Sequence, residues 1–277
     1  MKLFPLLKKI HSRFSPLYIH GLSEIRSFCA GKKGLEIGGP SHLFTWKGKI
    51  PLYSAVGSLD ACSFSSSTMW EGKISEGKNF FFHPKKEPGY QFIGEAGNLL
   101  QISDNTYDFL LASHVLEHCA NPIRVLKEWM RVTKENGMLL LVVPHKDGTF
   151  DHNRTITPFQ HLLDDERKET TERDETHTEE FIERIDLSMT AYKDNRPLFE
   201  ERTRNNFIYR GMHHHVFNTA LVVQLVDYVG LNIINVQTMR PFHIVVTAQK
   251  RSPADNKKFL AEHALYKQRS PFHSDKQ

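Results

Sequence analysis

Gly34-Leu35-Glu36-Ile37-Gly38-Gly39-Pro40-Ser41 is a short apolar run that carries one acidic residue and breaks into a glycine turn. Further on the chain reads Gly94-Glu95-Ala96, and then Asp104-Asn105-Thr106-Tyr107-Asp108-Phe109-Leu110-Leu111-Ala112-Ser113-His114-Val115-Leu116-Glu117-His118. This second stretch holds an acidic turn, a polar turn, a buried strand and the start of a helix. Glycines directly after a strand let the backbone approach a ligand closely, because no Cβ intervenes. The order of the two stretches, more than either one, decides the fold.

Working outward, Tyr107 to Ala112 reads as a buried strand and Asn121 to Lys134 as an amphipathic helix with Ile123, Leu126, Trp129, Met130 and Val132 apolar. Met138 to Val143 is a continuous apolar run, the pattern of a central parallel strand covered on both faces. Thr219 to Val229 reads as a helix closed by Gly230, followed by strands at Leu231–Gln237 and Phe242–Ala248. Upstream, Ser23–Cys29 is a short helix, Pro51–Val56 a candidate second strand, and the Ser-, Gly- and Lys-rich residues 61–90 are expected to be irregular. Strands alternating with helices imply an open, mostly parallel α/β sheet of Rossmann-like form, which binds ligands at the carboxyl ends of its strands. Gly38, Asp60, Glu95-Ala96, His114 and His145 are expected at five successive strand ends.

The chain has 277 residues, enough for one large domain or a domain with an insertion. The expected organisation is an N-terminal helical segment at 1–30, an α/β core at 31–150, an acidic helical insertion or lid at 151–210, completion of the core at 211–250, and a polar, loosely held tail at 251–277. Residues 151–210 hold nearly half of the acidic residues. Phe159, Leu162, Phe181, Ile182, Ile185 and Leu187 are the positions by which that segment can pack on a host domain. The first residues, with Phe4, Leu7, His11, Phe14 and Tyr18 near helical spacing, read as a helix packed on the domain; a membrane-surface helix is the other reading. No apolar run reaches the length needed to span a bilayer. A formal charge of +4 does not by itself imply nucleic acid. Cys29, Cys62 and Cys119 are too scattered for a disulfide framework, and a reducing cytoplasm is the expected compartment.

In nucleotide-binding folds an acid about twenty residues beyond the glycine turn accepts hydrogen bonds from ribose hydroxyls. Asp60 is the expected acid. The turn is not G-x-G-x-x-G, and Pro40 has no amide to donate, which argues against a pyrophosphate and so against NAD.

Glu36-Ile37-Gly38-Gly39, the pair Glu95-Ala96, the run Ser113-His114-Val115-Leu116-Glu117-His118 and His215-Val216-Phe217-Asn218 together resemble class I S-adenosylmethionine-dependent methyltransferases. The resemblance covers residues 34–60, 94–145 and 211–248. It implies a sheet of seven strands with the last antiparallel, S-adenosylmethionine as cofactor, and Glu36, Gly38, Gly39, Asp60, Glu95, Ala96, Ser113 and His114 as cofactor-binding residues. Trp70-Glu71-Gly72 and Thr149-Phe150-Asp151-His152 are similar to stretches of type 11-like members associated with polysaccharide synthesis, so the implied acceptor is a hydroxyl on a sugar, glycan or other small molecule.

A hydroxyl acceptor needs a base. Val143-Pro144-His145-Lys146-Asp147 and Asp151-His152 supply the candidates: His145, Asp151 and His152. Local hydrogen bonding that holds the insertion is the other reading of both histidines. His114, Glu117 and His118 share one helix face, and His213, His214 or His215 can join them. That group reads as a helix-start network beside the cofactor, with a divalent metal as the alternative. Two further readings remain: a catalytically silent methyltransferase-like scaffold, and an RNA methyltransferase.

Overall fold

The computed structural model describes residues 18–277, so most of the expected N-terminal helical segment, residues 1–17, lies outside it. Among the described residues the first element is helix α1 (Leu22–Cys29), which leads into β1 (Lys33–Ile37). Strands β2 (Ser58–Ser63), β3 (Ser67–Thr68), β4 (Gly72–Lys73), β5 (Gly77–Phe80), β6 (Gly89–Ile93) and β7 (Tyr107–Ser113) follow. Helix α2 (Pro122–Val132) leads to β8 (Thr133–Pro144). The insertion contributes α3 (Phe159–Arg167), α4 (Thr178–Arg184), α5 (Arg196–Arg204) and α6 (Asn206–Tyr209). Helix α7 (Thr219–Tyr228), β9 (Asn232–Met239) and β10 (His243–Gln249) complete the sheet, and α8 (Lys257–Leu260) and α9 (Leu265–Arg269) end the chain.

Among the described residues the main sheet has eight strands in the order β5-β6-β2-β1-β7-β8-β10-β9. The central run from β6 to β8 is parallel, and β10 is antiparallel to both of its neighbours. This is a Rossmann-like α/β fold with the expected antiparallel last strand. It carries one strand more than expected, because β5 pairs antiparallel with β6 at the edge. Residues 61–90 are therefore not simply irregular: they hold the end of β2, the β3–β4 hairpin and the edge strand. Backbone pairing formed there despite polar, glycine-containing sequence, as an exposed edge permits.

The apolar runs are explained by two-sided burial. In β8, Leu139, Leu141 and Val143 enter the core under α2 and α7, while Met138, Leu140 and Val142 enter the core on the opposite face with Ile25 of α1. In β7, Leu110 and Ala112 alternate in the same way with Phe109 and Leu111. Burial at about 25 cal/mol per Å² of apolar surface means that these central strands stabilise the fold from both faces. Asn121 caps α2 by accepting from the Arg124 amide at 3.0 Å, and Asn218 caps α7 by accepting from Leu221 at 2.9 Å.

Pro51–Val56 is not a strand. Leu52, Tyr53 and Val56 are buried, but the segment turns, with Leu52 and Tyr53 both donating to the Phe44 carbonyl. The second strand is Ser58–Ser63, whose small and polar residues lie between β1 and β6. Nor is the tail loose. Asp275 is buried and accepts from the Thr219 amide (2.9 Å), the Thr219 hydroxyl (2.6 Å) and the Ser270 hydroxyl (2.6 Å), so it anchors the start of α7. Its carboxyl is raised by burial but held below the usual range by His145, Ser270 and Thr219.

The insertion is divided. Leu162 joins the main core with Phe159 against it, whereas Phe181, Ile182, Ile185, Phe199 and Met212 form a separate small core against which Leu187 packs.

Candidate active site

The glycine turn sits where β1 leaves the sheet. Gly38 has φ +69°, and a Cβ there would meet Val115 Cγ2 at 2.8 Å. Glu36 is fully buried beneath the turn. Its Oε1 accepts from the Ser41 amide at 2.9 Å, and the Tyr53 hydroxyl lies 3.0 and 2.9 Å from its two oxygens. Burial pushes the Glu36 carboxyl up to about 8 against the pull of those donors. A Cβ on Gly39 would overlap this carboxyl, so Glu36 and Gly39 form the floor of the turn.

A cavity of about 690 Å³ opens at the carboxyl ends of the parallel strands. Gly38, Ser41, Glu95, Ala96, Ser113 and His114 all reach its wall. Trp129 Nε1 donates to the Ala96 carbonyl at 3.0 Å and fixes that loop. Glu95 is drawn toward the insertion by Arg210, whose Nη2 lies 2.6 Å from Oε1; the same guanidinium reaches Glu172 at 3.0 Å.

Asp60 does not stand at a strand end. It lies inside β2, opposite Leu35, where its carboxylate meets Lys33 Nζ (2.9 Å), the Tyr107 hydroxyl (2.8 Å) and the Tyr90 amide (2.8 Å). The misplaced second strand moved it. The carboxylate that reaches the cavity wall beyond β2 is Glu71, held by the Thr68 hydroxyl at 2.6 Å in the β3–β4 hairpin. The signal for it was the Trp70-Glu71-Gly72 stretch. Trp70 lines the cavity as well and packs on His118, ring centroids 5.4 Å apart.

The opposite wall is rich in imidazole. His114 Nε2 lies 3.0 Å from His243 Nδ1, and His114 Nδ1 lies 3.6 Å from Glu117 Oε1. His118 Nδ1 is 3.1 Å from the Met212 carbonyl, which leaves its Nε2 facing Glu117 at 3.8 Å. His213 Nδ1 is hydrogen-bonded to Asp151, whose other oxygen takes Arg154 Nη1 at 2.8 Å. Burial would raise Asp151, but His213 and Arg154 hold it below the usual carboxylate range. One donor atom each from Glu117, His118 and His213 lie within 4.8 Å of one another. Both Glu117 oxygens are buried without a hydrogen-bond partner, and burial pushes this carboxyl up to about 7. Burial holds His118 well below its usual range and lowers His114 to about 3, so both rings are neutral.

Of the three expected proton acceptors, only Asp151 belongs to this cluster, through His213. His145 is fully buried off the cavity, 3.1 Å from Asp275 and stacked on Phe272 at 4.0 Å. His152 is half-exposed, with Nδ1 3.1 Å from the Thr149 carbonyl and Nε2 3.8 Å from Asp186. His152 is held by local partners, and His145 by the C-terminal tail. His243 and Arg210 carried no sequence signal, because the segments that deliver them are distant in the chain.

Residues 73–141 match the methyltransferase domain family. An uncharacterized methyltransferase of Mycobacteroides abscessus is 34% identical over 56 residues, 20% of this chain and 22% of the relative, so the chain spans about a fifth of that relative's length. A SAM-dependent methyltransferase of Aquifex aeolicus covers 87% of this chain and 97% of its own at 14% identity, with a TM-score of 0.39. The Burkholderia thailandensis 1,6-didemethyltoxoflavin-N1-methyltransferase covers 84% and 79% at 9% identity, with a TM-score of 0.44. The matched segment begins in the β3–β4 hairpin and runs through β6, β7, α2 and into β8, so it includes Glu95, Ala96, Ser113 and His114.

Proposed function

We propose that the protein transfers a methyl group from S-adenosylmethionine to a hydroxyl of a small acceptor, with a sugar or glycan intermediate as the favoured class. The observation that carries this reading is the two-walled cavity. A positive-φ glycine turn and Glu95-Ala96 stand on one side, and an imidazole–carboxylate group stands opposite. The turn fits the methionine end of the cofactor, because a Cβ at Gly38 would fill the space against Val115. Glu71 is the carboxylate for the ribose hydroxyls, and Glu95-Ala96 is the adenine contact. When bound, the cofactor supplies an electrophilic methyl on sulfur.

The protein's part is alignment and proton removal. His213 takes the acceptor proton at Nε2, while Asp151 holds Nδ1–H and stabilises the imidazolium that forms. Trp70, Phe150 and Tyr192 line the cavity and offer faces on which a sugar ring can stack.

The unpartnered Glu117 favours a second reading of the same wall. Glu117, His118 and His213 would hold a divalent ion that lowers the pKa of the acceptor hydroxyl. His118 and His213 are each anchored through the other ring nitrogen, as metal-binding histidines commonly are.

Transfer of labelled methyl from the cofactor into a host extract, with identification of the product, tests the function. His213→Ala should lower transfer by about 10²-fold or more while cofactor affinity by calorimetry stays unchanged. Loss in chelator with recovery in Mg²⁺ or Mn²⁺ would select the metal reading. A folded wild type that binds no cofactor would leave the scaffold reading. Salt-dependent RNA binding would select the RNA reading.

A further inference from the structure

A second histidine cluster lies outside the cavity. His161 and Asp165 are one turn apart on α3, with His161 Nε2 3.4 Å from Asp165 Oδ2. His177, immediately before α4, brings its Nε2 to 3.0 Å from His161 Nε2. His215, on the extended segment ahead of α7, brings Nε2 to 3.6 Å from Asp165 Oδ2. One ring nitrogen from each of the three histidines lies within 4.8 Å of the others. None of the four residues lines the cavity.

One of these groups offers a buried, bare atom to the others, the Oδ2 of Asp165. Asp165 Oδ2 has no hydrogen-bond partner, although Oδ1 accepts from the Thr170 hydroxyl at 3.1 Å. His215, 1% exposed, has no partner at Nδ1, and its Nε2 is 3.2 Å from the Ala120 carbonyl. Buried polar atoms are nearly always paired, so the bare Asp165 oxygen amid the imidazoles points to a ligand.

The spacing suits one class of partner. A tetrahedral ion with metal–nitrogen bonds of about 2.0–2.1 Å separates neighbouring donor atoms by roughly 3.3 Å. Of the six distances between the four donors, His161–His177, His161–Asp165 and His215–Asp165 are 3.0, 3.4 and 3.6 Å, and the histidine donors all lie within 4.8 Å of one another. Three imidazoles and one carboxylate select zinc over magnesium or calcium, which take oxygen ligands. The outer contact of the carboxylate also fits, because ligating carboxylates are usually hydrogen-bonded in turn, as Asp165 Oδ1 is by the Thr170 hydroxyl.

We infer that His161, Asp165, His177 and His215 form a closed structural zinc site that fastens the insertion to the α/β core. With four protein ligands there is no open position for substrate, so the ion acts as a staple and not as a catalyst. It joins α3, the start of α4 and the segment before α7. The part of the insertion beyond α3 packs four buried residues of its own with Met212 into a small core, which is where a metal contributes most to folding. This inference is independent of the proposed methyl transfer.

The test uses the full chain without a histidine tag. Elemental analysis should find about one zinc per chain in Glu117→Gln, where the cavity group is disabled, and none in Glu117→Gln combined with His161→Ala or with His177→Ala. Apo Glu117→Gln reconstituted with Co²⁺ should show the strong visible bands of tetrahedral cobalt. A zinc chelator should lower its Tm to that of the double variants and leave theirs unmoved. His177 is partly exposed, so its replacement serves if the His161 variant fails to fold. Folded Glu117→Gln that holds no zinc, gives no tetrahedral cobalt spectrum and ignores the chelator would overturn the proposal. So would zinc retained after His177→Ala.

Discussion

The two walls of the cavity are built in opposite ways. The glycine wall comes from one short stretch: Glu36, Ser41 and Tyr53 are joined around Gly38 and Gly39 by hydrogen bonds that span at most 17 residues. The imidazole wall is gathered from β7, the segment after β8, the run before α7 and β10, with His114 and His243 129 residues apart. One wall is a local backbone device that a single turn dictates. The other exists only after the insertion and the last strand pair have docked. Cofactor recognition and acceptor chemistry should therefore fail separately.

The largest separation is expected from Gly38→Val. A branched side chain at φ +69° is strained, and its Cβ meets Val115 at 2.8 Å, in the space assigned to the cofactor. Calorimetry should show loss of S-adenosylmethionine binding, while circular dichroism and a cooperative melt show a folded chain. Unchanged affinity would remove the assignment of that wall.

A smaller effect separates two carboxylates of one strand region. Glu71→Gln should weaken cofactor binding about tenfold, the loss of one charged hydrogen bond. Asp60→Asn should leave binding intact and lower the Tm, because Asp60 is held inside the sheet by Lys33, Tyr107 and Tyr90. The reverse pattern would return the ribose role to Asp60.

That pair also marks what the sequence could convey. Strands buried on both faces announce themselves, as Met138–Val143 does. Ser58–Ser63 does not, because its burial comes from neighbours β1 and β6 and not from its own hydrophobicity. The more apolar Pro51–Val56 took its place in the reading and shifted Asp60 to a strand end. The glycine wall was legible because its partners are close in sequence. His145 was misread for the converse reason: its partners Asp275 and Phe272 belong to a tail whose polar composition hides that it is docked. The pairing of His213 with Asp151 crosses 62 residues, and no spacing rule reaches that far.

The smallest effect is one of sign with pH. Glu36 is raised to about 8 by burial, so the folded chain keeps a proton that the unfolded chain releases. Its contribution is complete below about 4.5 and is lost as pH rises toward 8. His243, lowered to about 4 by burial and Lys49, acts oppositely: its contribution is present above about 6.5 and is lost as pH falls toward 4. Glu36→Gln should thus flatten the alkaline fall in Tm and leave the acid limb alone. Parallel melting profiles for wild type and variant from pH 5 to 8.5 would place the titrating group elsewhere.

The run His213-His214-His215 points its rings to different places: His213 to Asp151, His214 to Asn206, and His215 to Asp165. Its backbone is stitched to the turn at Glu117, since the His214 amide donates to the Glu117 carbonyl at 2.8 Å and the His118 ring meets the Met212 carbonyl. The strip therefore behaves as a rigid crossbar between insertion and sheet. Excursions of the insertion and rearrangements of the imidazole wall share one clock. Methyl and imidazole resonances on both sides of the crossbar should report a single exchange rate.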